Sequence, residues 1–312
     1  MRALLIMGPT ASGKSALALA LAERLGGEIV NADAAQVYRD LRVLSARPSP
    51  EEEARAPHHL FGHADAAERY SVGKWITAAQ AAIAEIGGRG RTAIVCGGTG
   101  LYFKALTEGL AEAPPPDPAL RAALLTRLKT DGPQSLWAEL AQADPEMAAT
   151  LGPRDGPRIL RALEVWRATG VSLRTLHAAM APALAPDQWL GVTLWPERAS
   201  LYAAINRRFD GMAAAGGLEE ARALMTRGLD PALPAMKAIG VASLIAHLRG
   251  ELTVEKAADK AKQDSRNYAK RQYTWIRGQM NGWRRITADR LDDRVEDVLA
   301  ALRGVDPAAA DH

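Results

Sequence analysis

Eight residues near the N-terminus constrain this chain more than any others: Gly8-Pro9-Thr10-Ala11-Ser12-Gly13-Lys14-Ser15. Two glycines, a lysine and a hydroxyl at that spacing form a phosphate loop when a buried strand precedes them and a helix follows. Both flanks are present. Ala3 to Met7 is a short apolar run suited to a parallel sheet, and Lys14 to Leu25 reads as an alanine/leucine helix ended by Gly26-Gly27. The glycines let backbone N–H groups turn inward around phosphate oxygens, and the helix N-terminus adds positive potential. The pattern assigns Lys14 to the terminal phosphate charge and Ser15 to Mg²⁺. The bland alternative, an ordinary glycine turn with a solvated lysine, does not call for the strand and helix context. The motif specifies phosphate and leaves its carrier open.

The same strand, loop and helix order recurs. Glu28-Ile29-Val30-Asn31 reads as a second strand, Val72 to Ile86 as a helix, Thr92 to Cys96 as a third strand and Leu101 to Leu106 as a helix. Strands separated by helices imply right-handed crossovers and a parallel sheet. Ala113-Pro114-Pro115-Pro116-Asp117-Pro118 then forms a stiff, extended boundary. Ala119 to Met180 shows helical patterns and no convincing strand; after a second proline-marked passage, Trp189 to Leu194 reads as a strand rejoining the sheet. The expected fold is therefore α/β: a P-loop NTPase-like parallel-sheet core at 1–112 and 187–300, a helical insertion at 113–186, and a flexible tail at 301–312.

Composition excludes several classes. Hydrophobic residues make up 48% and charged residues 24% of the 312, enough for a core and unlike a disordered chain. One cysteine excludes an intramolecular disulfide framework, and the cluster His58, His59 and His63 lacks the second pair that a zinc site needs. Those histidines are assigned structural roles and no zinc is expected. The apolar start stops at Gly8-Pro9, too short for a signal peptide or membrane helix, so a cytoplasmic chain without a membrane partner is expected. A net charge of +3 permits an anionic partner without establishing one.

Asp33 lies just past the second strand, where the carboxyl ends of a parallel sheet form a ligand crevice. A carboxylate there can accept a proton or hold a metal, or else serve as an Asx turn or helix cap. The third strand ends in Cys96-Gly97-Gly98-Thr99 instead of the acid of a typical NTPase, which weighs against ATP hydrolysis. Cys96 reads as a small core residue.

The ordered set of motifs resembles the bacterial tRNA dimethylallyltransferase (tRNA delta(2)-isopentenylpyrophosphate transferase) family. The matching segments are the phosphate loop, Asp33-Ala34-Ala35-Gln36-Val37-Tyr38, Gly97-Gly98-Thr99-Gly100-Leu101-Tyr102, Arg161-Ala162-Leu163-Glu164-Val165, Arg207-Arg208-Phe209-Asp210, Lys237-Ala238-Ile239-Gly240 and Ala269-Lys270-Arg271-Gln272-Tyr273-Thr274-Trp275. They run in family order from residue 3 to about residue 290. The resemblance implies transfer of a dimethylallyl group from dimethylallyl diphosphate to the N6 amine of the adenosine 3′ of the anticodon, in tRNAs reading codons that begin with U. It makes Asp33 the general base, adds Thr99 and Arg208 to the reaction centre, and gives the loop from Gly8 to Ser15 a prenyl diphosphate and Mg²⁺ in place of ATP. It places tRNA on Asp33, Ala34, Ala35, Gln36, Thr99, Arg121, Pro157, Arg158, Ile159, Leu160, Arg161, Lys237, Lys270, Arg271 and Arg277. The insertion would clasp the anticodon stem-loop against the core, with no obligate protein partner and a monomer sufficient.

Charge patterning bears on the same partner. Arg154, Arg158 and Arg161 share a face if one helix spans them, and Lys262, Arg266 and Lys270 recur every four residues among Tyr268, Tyr273, Trp275 and Trp283. Spacing alone equally describes solvated basic faces with core aromatics. The chain departs from the family pattern with Ala34 for serine, Pro157 for glutamine, Leu44-Ser45-Ala46-Arg47-Pro48 for a Thr-Ala-Lys-Pro segment, and Gly240-Val241-Ala242 for Gly-Tyr-Lys or Gly-Tyr-Arg. The competing functions are a phosphate-loop small-molecule kinase and a nucleotide-switched RNA-binding protein.

Overall fold

The computed structural model describes residues 3–304 apart from 112 and 116. These fall into two compact units, one built from the chain up to Thr107 and from Ala183 onward, the other from Glu108–Pro182. The expected insertion, 113–186, is displaced toward the C-terminus relative to that division. The reason is Leu184, which is buried in the first unit's core and whose N–H donates to the Leu106 carbonyl at 2.9 Å. Residues 305–312 of the expected tail lie outside the described residues, while Ala301 and Leu302 belong to the last helix.

The first unit opens with β1 (Ala3–Met7), α1 (Lys14–Leu25), β2 (Glu28–Asn31), α2 (Pro50–Arg55), β3 (His58–His59), α3 (Val72–Gly88), β4 (Ala93–Gly97) and α4 (Gly100–Thr107). The second unit holds α5 (Pro118–Thr130), α6 (Pro133–Ala143), α7 (Pro145–Ala148), α8 (Gly156–Thr169) and α9 (Leu173–Ala178). The first resumes with β5 (Trp189–Leu194), α10 (Arg198–Met212), α11 (Leu218–Thr226), α12 (Val241–Leu248), α13 (Val254–Gln279), β6 (Arg284–Ile286) and α14 (Leu291–Leu302).

The six strands form a parallel sheet in the order β3-β2-β4-β1-β5-β6. Register aligns Met7 with Gly97 on one side and with Thr193 on the other, so the carboxyl ends share one edge. Side chains alternate across β1. Ala3, Leu5 and Met7 pack with Trp75 and Phe103 of α3 and α4, while Leu4 and Ile6 pack with Leu17 and Leu21 of α1 and Val298 of α14. Burial on both faces explains why β1 reads as a continuous apolar run. Two edge strands, β3 and β6, carry no such signal, because two histidines and Arg284-Arg285-Ile286 are too short and too polar.

The second unit is all helical among the described residues, around Leu124, Leu136, Leu140, Ile159 and Leu163. No described helix is long and apolar enough to cross a membrane.

Candidate active site

The carboxyl ends of β1, β2 and β4 gather the residues with chemical potential. The loop after β1 turns through Ala11 at φ 63° and Gly13 at φ 86°, both left-handed. Such turns aim successive N–H groups into one concavity, and holding alanine there costs about 1 kcal/mol. Gly8 is required by space: a Cβ would sit 2.7 Å from Ser12 Oγ and 3.0 Å from Leu194 Cβ. Ser12 Oγ is buried and has no hydrogen-bond partner, a hydroxyl that a phosphate oxygen would satisfy. Lys14 Nζ folds back to donate to the Pro9 carbonyl at 3.3 Å. Burial lowers the Lys14 pKa, and the charge of Asp33 opposes that shift. Ser15 is exposed beside it, at the second residue of α1.

Asp33 is held by a local network. Asn31 Oδ1 accepts from the Asp33 N–H at 2.8 Å, and Asn31 Nδ2 donates to the Asp33 and Leu60 carbonyls, both at 3.0 Å. Asp33 Oδ1 accepts from the Ala35 N–H at 2.9 Å, so the Asx-turn alternative is realised by one oxygen. The other, Oδ2, faces Gly98, 3.4 Å from where a Cβ would lie. One oxygen thus anchors the turn and the other faces the loop after β4.

Arg208, on α10, donates to Thr10 Oγ1 of the phosphate loop. Burial lowers its pKa while Asp33 raises it, so the carboxylate acts electrostatically on both Lys14 and Arg208. Thr99 Oγ1 accepts from the Ala34 N–H at 2.9 Å, and the Thr99 N–H donates to the Ala32 carbonyl at 3.1 Å, latching the β4 loop to the Asp33 loop. The missing acid after β4 has a steric explanation. A Cβ at Gly97 would overlap the Ala32 backbone, and one at Gly98 would overlap Gln272 Nε2. Gln272, buried on α13, was not singled out as a site residue by sequence. Its signal is a polar side chain on the stripe Ala261, Ser265, Ala269, Gln272, Ile276.

The remaining basic residues divide by environment. Lys262 pairs with Asp210 at 2.6 Å and Arg266 Nη1 donates to Asn206 Oδ1 at 2.7 Å, so both fasten α13 to α10. Lys270, Arg271 and Arg277 are exposed, with Arg271 stacked over Tyr268. Lys270 and Arg277 line a groove of about 560 Å³ with Trp195 and Tyr273. Trp283 instead packs against Phe103 and Trp189. Lys237 and Ala34 are exposed and Ala35 is half-buried. Gln36 spends both amide hydrogens on the Ser45 and Ala46 carbonyls, at 3.0 and 2.8 Å.

Within the second unit, α8 begins at Gly156, so Arg154 precedes the helix and does not share a helical face with Arg158 and Arg161. Pro157 and Arg158 are exposed, whereas Ile159 and Leu160 are buried core residues. Arg121 and Arg161 converge on the buried Glu164 carboxylate at 2.7 and 3.5 Å, and Arg161 also donates to the Pro114 carbonyl.

The histidines have structural contacts: His58 with the Ala56 carbonyl, His59 with Glu28 and His63 edge-on to Tyr70. Burial pushes the Cys96 thiol up to about 12, as befits a core residue.

A family model described as IPP transferase matches residues 36–279, and a second, isopentenyl transferase, matches residues 1–57. The chain belongs to the IPP transferase family. It is 54% identical to a tRNA dimethylallyltransferase of Phenylobacterium zucineum, covering 97% of this chain and 98% of that protein. A tRNA dimethylallyltransferase of Hyphomonas neptunium is 49% identical over 98% of this chain and 97% of its own length. Among solved structures, the full-length tRNA isopentenylpyrophosphate transferase of Bacillus halodurans superposes with a TM-score of 0.70 at 35% identity, covering 97% of this chain and 95% of that one. A eukaryotic dimethylallyltransferase acting on tRNA gives 0.81 at 27% identity, covering 97% and 77%. This IPP transferase thus has the P-loop-like parallel core of its family.

Proposed function

We propose that this chain transfers a dimethylallyl group from dimethylallyl diphosphate to the N6 amine of the adenosine 3′ of the anticodon, in tRNAs reading codons that begin with U. The observation that carries the reading is the Asp33 carboxylate, placed between anchoring loops and electrostatically coupled to Lys14 and Arg208. The N6 nitrogen attacks the allylic carbon as the carbon–oxygen bond to diphosphate breaks. Negative charge grows on the leaving diphosphate, where Lys14, Arg208 and the inward N–H groups of the phosphate loop stabilise it. Asp33 takes the N6 proton through the oxygen that Ala35 does not occupy. The adenine must leave its stack to reach this centre.

The exposed Ser15 hydroxyl and the unpartnered Ser12 Oγ fit a diphosphate with Mg²⁺, since this ion takes few protein ligands alongside phosphate oxygens and water. Ser15 would hold the ion, which supplies positive charge to the departing diphosphate. Exposed Lys270, Arg271 and Arg277, with Arg158 of the second unit, supply RNA phosphate contacts. Every side chain in this scheme comes from one chain, acting in the cytoplasm without an obligate protein partner.

Incubation with an unmodified tRNA transcript and labelled dimethylallyl diphosphate, beside a parallel reaction with labelled ATP, tests the reading. Prenylated RNA with release of diphosphate is expected. Phosphoryl transfer from ATP, or RNA binding without turnover, would overturn it.

A further inference from the structure

We infer that Gln272 is a positioning residue that sets the diphosphate-binding half of the site against the acceptor half. Gln272 is 3% exposed, and its carboxamide spans two loops distant in sequence. Oε1 accepts from the Thr10 N–H and Nε2 donates to the Gly98 carbonyl, each at 2.8 Å. An N–H can only donate and a carbonyl can only accept, so the two partners fix which end of the amide is oxygen.

Each partner is one step from the chemistry. Thr10 receives the guanidinium of Arg208 on its hydroxyl. Gly98 precedes Thr99, whose hydroxyl holds the Ala34 N–H and with it the loop that carries Asp33. One carboxamide therefore sets the separation between the group that meets the diphosphate and the group that takes the proton. The Thr10 N–H is committed to this clasp, and phosphate contacts fall to the other N–H groups of the loop. Gly98 is a glycine because a Cβ would overlap Nε2. Tyr268 donates its hydroxyl to the same Gly98 carbonyl at 3.3 Å, reinforcing the acceptor end.

A side chain with one donor and one acceptor is required, and two substitutions separate its ends. The Gln272→Glu carboxylate still accepts from the Thr10 N–H but repels the Gly98 carbonyl. Protonated, it donates to that carbonyl and restores the clasp; burial favours this form, against the Thr10 N–H and the nearby Arg208 guanidinium, so acidification moves the variant toward the clasped state. Gln272→Leu loses both ends at every pH.

The role rests on the prenyl-transfer reading, and the experiment separates the two. Initial rates with tRNA transcript and dimethylallyl diphosphate are measured from pH 6 to pH 8.5 for the wild type and both variants. Donor affinity, the thermal midpoint and hydrogen exchange at Thr10 are followed in parallel. For Gln272→Glu we expect a kcat about 100-fold below wild type at pH 8.5, with the deficit shrinking toward pH 6, donor affinity weakened by the added charge at high pH and recovering along with kcat, and a protected Thr10 amide. Gln272→Leu should lose kcat at all pH values and expose the Thr10 amide to exchange. A wild-type kcat in both variants, or losses that only track the thermal midpoint, would overturn the positioning role. A wild-type chain that fails to prenylate tRNA would instead overturn the transferase reading. Thr10 exchange would still report on the clasp, and unchanged protection in Gln272→Leu would refute it.

Discussion

Asp33 shows how one side chain can close a turn and still offer an oxygen to the proposed chemistry. Its Oδ1 closes a turn onto Ala35, while Oδ2 faces Gly98, in a site coupled to Lys14 and Arg208. Asp33→Asn keeps the turn, since the amide oxygen still accepts, but removes the proposed base. Rapid-quench single turnovers should slow by about 10²- to 10⁴-fold, with donor and tRNA affinity largely kept; an unchanged chemical step would show that another group takes the proton. Lys14 makes a separate prediction. Its pKa lies below that of an ordinary lysine because burial disfavours the ammonium, so its charge is lost earlier as pH rises. Donor affinity should weaken through the alkaline range, and Lys14→Ala should bind about 10- to 100-fold more weakly with that dependence gone. Titration calorimetry of the donor against pH measures both. Lys14 and Asp33 were legible because each sits in a short contiguous motif beside a recognisable strand. Gln272 was not, because its partners Thr10 and Gly98 meet it only after α13 packs on the sheet.

Between elements, hydrogen bonding decides which arginines are available to a partner. Helical spacing made Arg158 and Arg161 equivalent, and both do lie on α8, yet the partners they meet place them in different environments. The Arg158 side chain is 71% exposed and borders Asp155 at 3.4 Å. Arg161 and Arg121 instead neutralise Glu164, whose side chain is fully buried in the second unit. Arg158→Ala should raise the tRNA Michaelis constant and reduce the log–log salt slope by about 1, with no change in melting. Arg121→Ala should also destabilise the fold by about 2 kcal/mol, and Arg161→Ala by less because its contact is longer. Steady-state kinetics across a salt series, with thermal melts of each variant, distinguish the two classes; equal melts for all three would refute the division. Sequence had supplied the helix and its apolar stripe. It could not supply the partner of each guanidinium, since Glu164 looks like any helix-surface glutamate until α5 and α8 pack.

At the scale of the molecule, the parallel sheet separates the proposed chemistry from a buried ion cluster along its strands. The alternation of apolar runs, glycine turns and helices made that sheet legible; its edges were not, because β3 and β6 are short and polar. All the proposed chemistry lies at the carboxyl ends, whereas the amino end of β2 carries a buried carboxylate, Glu28. Its Oε2 meets His59 at 2.6 Å and Arg89 at 2.7 Å, and its Oε1 meets Arg91 at 3.1 Å, tying the edge strand β3 and the turn after α3 to the sheet. Burial alone would raise the Glu28 pKa, but hydrogen bonds and charge from Arg89 and His59 hold it below the ordinary glutamate value. A depressed carboxylate pKa contributes stability that is complete above the unfolded value and is lost as pH falls through the folded one. Glu28→Gln should therefore cost about 3 kcal/mol at pH 7, a drop of roughly 4–5 °C in melting temperature for a chain of this size. The gap from wild type should narrow as the medium is acidified below the ordinary glutamate range. Rates of prenyl transfer at 25 °C should be unchanged, since β2 separates Glu28 from Asp33 by its full length. Calorimetric melts across the acidic range, paired with initial rates, decide the matter. A catalytic defect in Glu28→Gln at a temperature where it remains folded would show that the two ends of the sheet are coupled.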